Sequence, residues 1–471
     1  MATIICLAPE LLELVLSYLA PSDLISFART CHHASEFIRP NNQILWKASF
    51  LQVFDHPKHA WNALVPTARA ANKTREAEWD WHHELQRRLI AFNAVCKSDH
   101  SGLLFNVADV VKALLDVEET ASCMEWDEGG NSQSLNVKFL QRLGEEKPDK
   151  LDSIVHDFHR GFDSASLPLE TMAAAHFDRR VTRSIKTLAY NTYIIHGPTR
   201  REEDSMKSKA AARAIVYDWT VTGPEAECGP FKKDLSGAVD WQTVEAISSL
   251  MHRLFAVALK MYELSTSGFA MNIPHAVAAN PTSPEDWAGV TGIWLGTYAF
   301  LDYRALVHYN FTNNQEYSLD LGGSEEACGD LMRLELKMED TEELQQDHRL
   351  QTVLPHCEDL PVLFFRGSSH NETSGRTSIG VRGSASLVPD GRSVRWRFII
   401  RYAGSDQWQL EGVQPSGVRS GPIYGLWSHA DHDEHGPMGP FYYAPAELCD
   451  ITHGQASNMR TSPSISPEPS S

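Results

Sequence analysis

Near residue 290 the hydrophobic period of the chain changes from 3.6 to 2, which confines it to a fold with separate helical and β parts. After the change, Gly292–Tyr298, Ala305–Phe311 and Leu331–Met338 are β-prone runs. Ile379, Val381, Gly383, Ala385 and Leu387 then alternate with mostly polar neighbours, and Val394, Trp396, Phe398, Ile400 and Tyr402 do the same. Between them Val388-Pro389-Asp390-Gly391 supplies hairpin turn chemistry. Further strand-like pieces lie at Gln407–Val413, Ile423–Ser428 and Phe441–Tyr443. Seven or eight strands in about 155 residues, with no helical crossovers, predict an antiparallel barrel or sandwich over 289–454. Gly292-Ile293-Trp294 is echoed by Gly425-Leu426-Trp427, as a barrel that joins its first and last strands would allow.

Upstream, over 51–288, the pattern predicts a helical scaffold. Its clearest segments are 77–95, 107–120 and 239–259, the last with apolar residues at 244, 247, 250, 251, 254, 255 and 258. Glu128–Asn131 and Glu145–Pro148 mark loops, and the charged stretch 197–209 reads as an exposed loop. The Ser- and Pro-rich stretch 455–471 predicts a disordered tail.

The first 50 residues pose a different problem. Glu10–Leu19, ELLELVLSYL, is apolar on nearly every side, whereas a helix facing one core needs only a stripe. Pro21-Ser22-Asp23 breaks it before a second short helix, and a third apolar stretch leads to Trp46. Three short helices cannot bury that much apolar surface among themselves, so the unit needs a partner.

The order Leu7-Ala8-Pro9-Glu10-Leu11-Leu12, Leu16-Ser17-Tyr18-Leu19, Pro21-Ser22-Asp23-Leu24, Arg29-Thr30-Cys31 and Leu45-Trp46 resembles the F-box family. Ala8 replaces the family's usual proline, and Thr30 its branched apolar residue before the cysteine. The resemblance implies a three-helix F-box over 1–50 that docks a Skp-type adaptor of a cullin ubiquitin ligase. The adaptor contacts it implies are Leu7, Pro9, Leu11, Leu12, Leu16, Leu19, Leu24 and Trp46.

The β part resembles the C-terminal domain of F-box proteins related to F-box only protein 31. The resemblance rests on Gly292-x-Trp294-x-Gly296-Thr297-Tyr298, Val381-Arg382-Gly383, Pro389-Asp390-Gly391, Arg395-Trp396, Asp406-Gln407-Trp408, Glu411–Gln414 and Gly439-Pro440-Phe441. In that group the domain receives the substrate, which implies a substrate receptor for an unidentified target protein. Departures are the acidic segment Glu339–His348 and the Ser-rich Gly367–Ser374, read as loops that choose the ligand. Most of the domain's aromatics belong inside a barrel. Parity puts Trp396 inside and Arg395 and Arg397 outside. The candidates for substrate contact are Trp294, Tyr298, Trp408 and Trp427, with Arg366 and Arg382 facing an acidic or C-terminal group. A rival reading, a lipocalin-like barrel holding a small molecule, needs a continuous apolar cavity where the receptor reading expects a filled interior.

The expected fold is therefore α+β and multidomain: F-box, helical middle, and C-terminal antiparallel β-barrel or sandwich. A net charge of −19 argues against nucleic acid. No run of about 18 uncharged apolar residues predicts a membrane span. Eight scattered cysteines without a C-x-x-C pair read as reduced thiols of the cytoplasm or nucleus. Neither His82-His83, nor His156 with His159, nor the loop Ser428–His435 has metal-ligand spacing, so no metal or cofactor is expected. A Cys–His nucleophile using Cys96 or Cys228 lacks a motif, as does a serine elbow, and the chain reads as a non-catalytic subunit.

Overall fold

A computed structural model of the chain describes residues 7–96, 107–122, 134–163, 187–220, 223–266, 271–277, 279, 283–312, 321–371, 379–433 and 435–451. The expected tail and the loop at 128–131 lie outside the described residues.

Four short helices open the chain: α1 (Pro9–Leu16), α2 (Pro21–Ala28), α3 (His32–Phe37) and α4 (Gln43–Leu51). The first two start on a proline, whose fixed φ suits a first helical turn and whose missing N–H leaves no donor unpaired there. Leu12, Leu16, Leu24, Ile38, Leu45, Trp46 and Phe50 form one core with Leu85, Val117, Phe139 and Leu140 from helices further along. The unit is thus seated on the scaffold rather than tethered to it.

The scaffold continues with α5 (Pro57–Asn62), α6 (Pro66–Ala77), α7 (Trp81–Cys96), α8 (Val107–Glu119), α9 (Leu135–Glu146), α10 (Pro148–Asp163) and α11 over 187–196. Next come α12 (Arg200–Glu203), α13 (Met206–Val216) and the long α14 (Trp241–Lys260). The expected loop at 197–209 therefore contains helical turns. Thr199 and Glu202 form a capping box, and the Ser205 side chain caps α13, so short cap motifs override the charged composition.

Two buried polar groups fix how these helices meet. Asp55 accepts from the Ser122 and Leu135 amides and the Ser134 hydroxyl, while its own amide donates to Asn136 at 2.9 Å. Arg88 is fully buried, with its guanidinium 4.9 and 5.0 Å from the Phe50 and Phe54 rings and 2.9 Å from the Thr120 hydroxyl. Burial lowers its pKa to about 10, so it remains a cation at neutral pH.

The β part closes into a barrel. Strands β2 (Gly292–Phe300), β4 (Met332–Met338), β5 (Leu363–Asn371), β6 (Ile379–Leu387), β7 (Val394–Tyr402), β8 (Ser405–Gln414), β9 (Ile423–His429) and β10 (Met438–Pro445) pair antiparallel in that order. Pairing of β10 with β2, from Phe441 opposite Tyr298 to Pro445 opposite Trp294, shuts the ring. β1 (Leu264–Thr266) pairs with β11 (Cys449–Ile451), and β3 (Ala327–Cys328) adds to the end of β2. Of the two Gly-x-Trp strands, the later is β9, one place removed from the closure.

The interior is filled by Trp294, Leu334, Phe365, Trp396, Phe398, Trp427, Phe441 and Tyr443 among others. Room for such rings requires bare backbone opposite them. A Cβ on Gly296 would collide with the Tyr443 ring, and one on Gly425 with Phe441. Outside, α14 covers the closure, stacking Phe255 on Tyr442 at 4.2 Å.

Two β expectations are corrected. Ala305–Phe311 is helical, within α15 (Tyr303–Thr312), because Asp302 binds the Arg304 and Ala305 amides and Leu306 and Tyr309 share one buried face. Gly367–Asn371 is part of β5, not loop. Its inward positions Gly367 and Ser369 are small, so no hydrophobic alternation announced it.

Asp55→Ala removes an acceptor from three donors near a buried helix junction, and is expected to destabilise the chain by about 2–4 kcal/mol. Thermal unfolding of the purified chain checks this.

Candidate functional site

Two surfaces stand out, and each is built from residues the core leaves over. On α1 the inward residues are Leu12 and Leu16. The outward ones are Leu11, Leu14 and Val15, with Leu7 and Pro9 before them and Tyr18 after. Leu11 is 53% exposed, Leu14 54% and Tyr18 79%. Ile25 of α2 and Ile44 of α4 are exposed as well. Scattered single apolar residues are ordinary on a surface, but a continuous helix face of them is not. The expectation that this helix needs cover on two sides thus divides physically: the scaffold supplies one side, and the other faces solvent.

The expected adaptor contacts fall into two groups. Leu7, Pro9 and Leu11 are exposed and Leu19 is half-buried. Leu12, Leu16, Leu24 and Trp46 are buried in the chain's own core, and the Trp46 indole donates to the Arg39 carbonyl at 3.0 Å. Leu14, Val15 and Tyr18 share the exposed face but are not among the expected contacts, because a helix apolar all round does not say which face is inward. Residues 4–43 match the family model of the F-box domain. The chain carries an F-box. No curated protein and no solved structure matches the chain.

Beyond the F-box and its scaffold, the barrel has one end committed and one end accessible. At the committed end the β6–β7 turn packs on α6, where Ala68 approaches Gly391 and Val65 joins the barrel core. Arg392 there binds Glu119 of α8 at 3.1 Å, and Asp359 accepts from the Thr67 amide at 2.6 Å. At the other end Tyr298, Tyr402 and Trp408 are half-buried. Trp408 meets Trp427 edge-on at 5.1 Å, and Trp427 meets Tyr298 at 6.0 Å. Burial raises the phenol pKa of Tyr298 and of Tyr402, helped at Tyr298 by Asp330, so both stay neutral hydrogen-bonding tips. Of the four expected aromatics, three sit together at this rim. Trp294 lies deeper, 5.0 Å from Trp396.

Arg366 and Arg382 stand elsewhere. They are register partners on β5 and β6, at positions pointing out of the barrel. Arg366 binds Glu339 at 2.9 Å and Glu343 at 2.8 Å. Arg382 binds Asp347 at 2.6 Å and clasps both oxygens of Asp406 at 2.7 Å. The acidic segment 339–348 thus supplies carboxylates to the chain's own arginines.

A second outward cluster is nearly dry. Arg395 and Arg397 of β7 share Glu411 of β8 and Glu227, which reaches in from the loop after α13. Arg397 also donates to the Gln351 carbonyl and Arg395 to the Thr352 hydroxyl. The cluster straps two crossing segments to the barrel wall. Burial would raise the Glu227 pKa, but Arg395 and Arg397 pull it down to about 2.

The nucleophile and metal expectations can be placed too. Cys228 lies 3.3 Å from the Nδ1 of His432. Burial pushes its thiol up to about 11 and the imidazole down, the reverse of a thiolate–imidazolium pair. His159 is held between Glu202 at 3.1 Å and Glu245 at 3.2 Å, and His156 contacts Thr199. Among the described residues no group of three or more His, Cys, Asp or Glu is placed to hold a metal, and no helix is long and apolar enough to cross a membrane.

The strap has a pH signature. Glu227 titrates near 2 when folded against an ordinary 4.5, so its stabilisation is complete above about pH 4.5 and lost as pH falls towards 2. Glu227→Gln is expected to lower stability at neutral pH and flatten that acid limb, as read by melting temperature across pH.

Proposed function

We propose that the chain is a substrate receptor of a Skp–cullin–F-box ubiquitin ligase, working in the cytoplasm or nucleus. The F-box docks the Skp-type adaptor, and the barrel rim holds the target protein. The observation that carries the reading is the uncovered apolar face of α1 beside a core-sealed inner face. Burial of what is still exposed of Leu7, Leu11, Leu14, Val15 and Tyr18, at about 1.5–3 kcal/mol for a whole side chain, is comparable to the usual cost of association. On this reading adaptor contact rests chiefly on the outward residues, and Leu12, Leu16, Leu24 and Trp46 act by shaping them.

For the target, the filled barrel interior supports recognition at the rim by Tyr298, Tyr402, Trp408 and Trp427. Rings with polar tips on a rigid wall suit a peptide clamped from one side. A link to receptors related to F-box only protein 31 belongs to the same proposal. Arg366 and Arg382 could meet a target only by exchanging the carboxylates they already hold. The receptor itself performs no bond chemistry on this reading; it positions a target for ubiquitin transfer.

Leu11→Asp with Leu14→Asp places two charges on the exposed face, and is expected to abolish co-purification of the adaptor while the melting temperature changes by no more than about 2 °C. Leu16→Asp would instead charge a fully buried site and unfold the unit, so it does not test docking. Retained adaptor with the surface pair would sink the assignment.

Trp408→Ala with Tyr402→Ala is expected to leave adaptor binding intact and deplete specific partners captured under proteasome inhibition by about tenfold or more. An unchanged partner set would move recognition away from the rim.

A further inference from the structure

Where the committed end of the barrel meets the scaffold, the packing is incomplete. A cavity of about 220 Å³ lies between α8, α11, the β6–β7 turn and the β8–β9 connection. Leu115, Glu118 and Ile195 also line a smaller neighbouring apolar recess of about 40 Å³. Ala, Leu, Ile, Pro and Val side chains make half of the wall, and Trp241 contributes an aromatic one.

The polar groups facing this space are mostly committed to one another. Arg392 binds Glu119, and Asp390 accepts from the Arg392 and Ser393 amides and the Ser393 hydroxyl. Burial, with Arg419 beside it, lowers the His275 pKa to about 4, so that ring is neutral. Two groups are left over. Glu118 is only 6% exposed and lines both compartments, and its carboxyl makes no hydrogen bond or ion pair. Asn191 has its side-chain oxygen buried without a donor. A buried carboxyl and a buried amide oxygen without donors each cost free energy until a donor arrives.

We propose that this seam cavity is a binding site for an organic ammonium on a compact apolar body, with Glu118 as its counter-ion. An ammonium brings N–H donors to both orphan oxygens, its charge suits the face of Trp241, and its hydrocarbon fills the recess. An anion would meet Glu118 and Glu119, with the one lining guanidinium already paired. In the empty site burial, and then the neighbouring Glu119 carboxylate, raise the Glu118 pKa well above its ordinary value, against the pull of Arg392. Ammonium binding therefore displaces the Glu118 proton to solvent, so affinity rises with pH until Glu118 ionises unaided. Bound there, the ligand would bridge scaffold and barrel and stabilise their junction. The ammonium could come from a free small amine or from the amino terminus of a protein.

Isothermal titration of the full chain with phenethylamine, phenethyl alcohol and phenylacetate tests this. The amine is expected to saturate and bind at least about tenfold more tightly than the alcohol. Its heat should vary with the ionisation enthalpy of the buffer, reporting proton release. Glu118→Gln keeps the shape of the wall and is expected to erase the preference for the amine. Should that variant misfold, the proton release and the amine-to-alcohol ratio of the native chain still decide the matter. A Phe-Gly-Gly amide with a free amino terminus separates the sources: binding as tight as phenethylamine identifies a chain terminus, and exclusion identifies a small molecule. Equal affinity for alcohol and amine, preference for phenylacetate, preference surviving Glu118→Gln, or no saturation by the amine at millimolar concentration would each overturn the assignment.

Discussion

The pairing of β2 with β10 is the contact on which the rest of the molecule depends. Both strands are buried on both faces, which is unusual for an antiparallel barrel wall, where one face commonly meets water. Inward, Trp294 and Tyr298 stand beside Phe441 and Tyr443 in the barrel core. Outward, Leu295 and Ala299 stand beside Tyr442 and Ala444 in the core that α14 completes. The same two strands therefore close the barrel and join it to the scaffold. A one-residue slip of either would exchange its two faces and spoil both cores at once. Register, closure and attachment are one constraint.

α1 is tied to the barrel through the same frame. α1 is packed through Leu12 and Leu16 on a core that includes α7, α8 and α9. α8 in turn presents Glu119 to Arg392 of the barrel turn. Arg75 and Arg87 share Asp116 on the same helix, so the charges form a chain rather than isolated pairs. Arg87 and Asp116 are mostly buried, so breaking that pair strands a charge, whereas the half-exposed Arg392–Glu119 pair contributes little by itself. They disfavour alternative seatings of the barrel more than they strengthen the observed one.

What was legible in the sequence follows from which residues carry a periodic signal. β6 and β7 announced themselves because nonpolar inward residues alternate with mostly polar outward ones over a full strand, and parity alone places Trp396 inside. β5 did not, because Gly367 and Ser369 occupy its inward positions and leave space for rings from other strands. The Ala305–Phe311 run has strand-like composition, yet an Asp cap and a buried pair three residues apart decide for helix. The F-box was readable from residue order, but not its polarity: Leu11 and Leu12 are chemically equal, and only the position of α4 and α7 makes one core and the other surface. The internal pairing of the arginine candidates was illegible for a related reason. Sequence marks Arg366 and Arg382 as charges on strands, but their carboxylates arrive from segments 20 to 40 residues away whose path has no pattern.

The committed and accessible ends of the barrel also follow from how charge and aromatic residues are divided along its strands. Turn residues at the committed end are Pro, Asp, Gly, Arg and Ser, small or able to bind helix groups, and they nest between α6 and α8. At the other end the strands carry Tyr298, Tyr402 and Trp408, whose rings are half-buried and whose phenols stay neutral. Interior packing supports them from below: Trp408 leans on Trp427, and Trp427 donates to the Ala299 carbonyl at 3.0 Å. A rigid, half-wet aromatic rim over a dry core has little conformational freedom left to lose. The filled interior is therefore the foundation of the rim, since a hollow barrel would leave those rings free to fall inward.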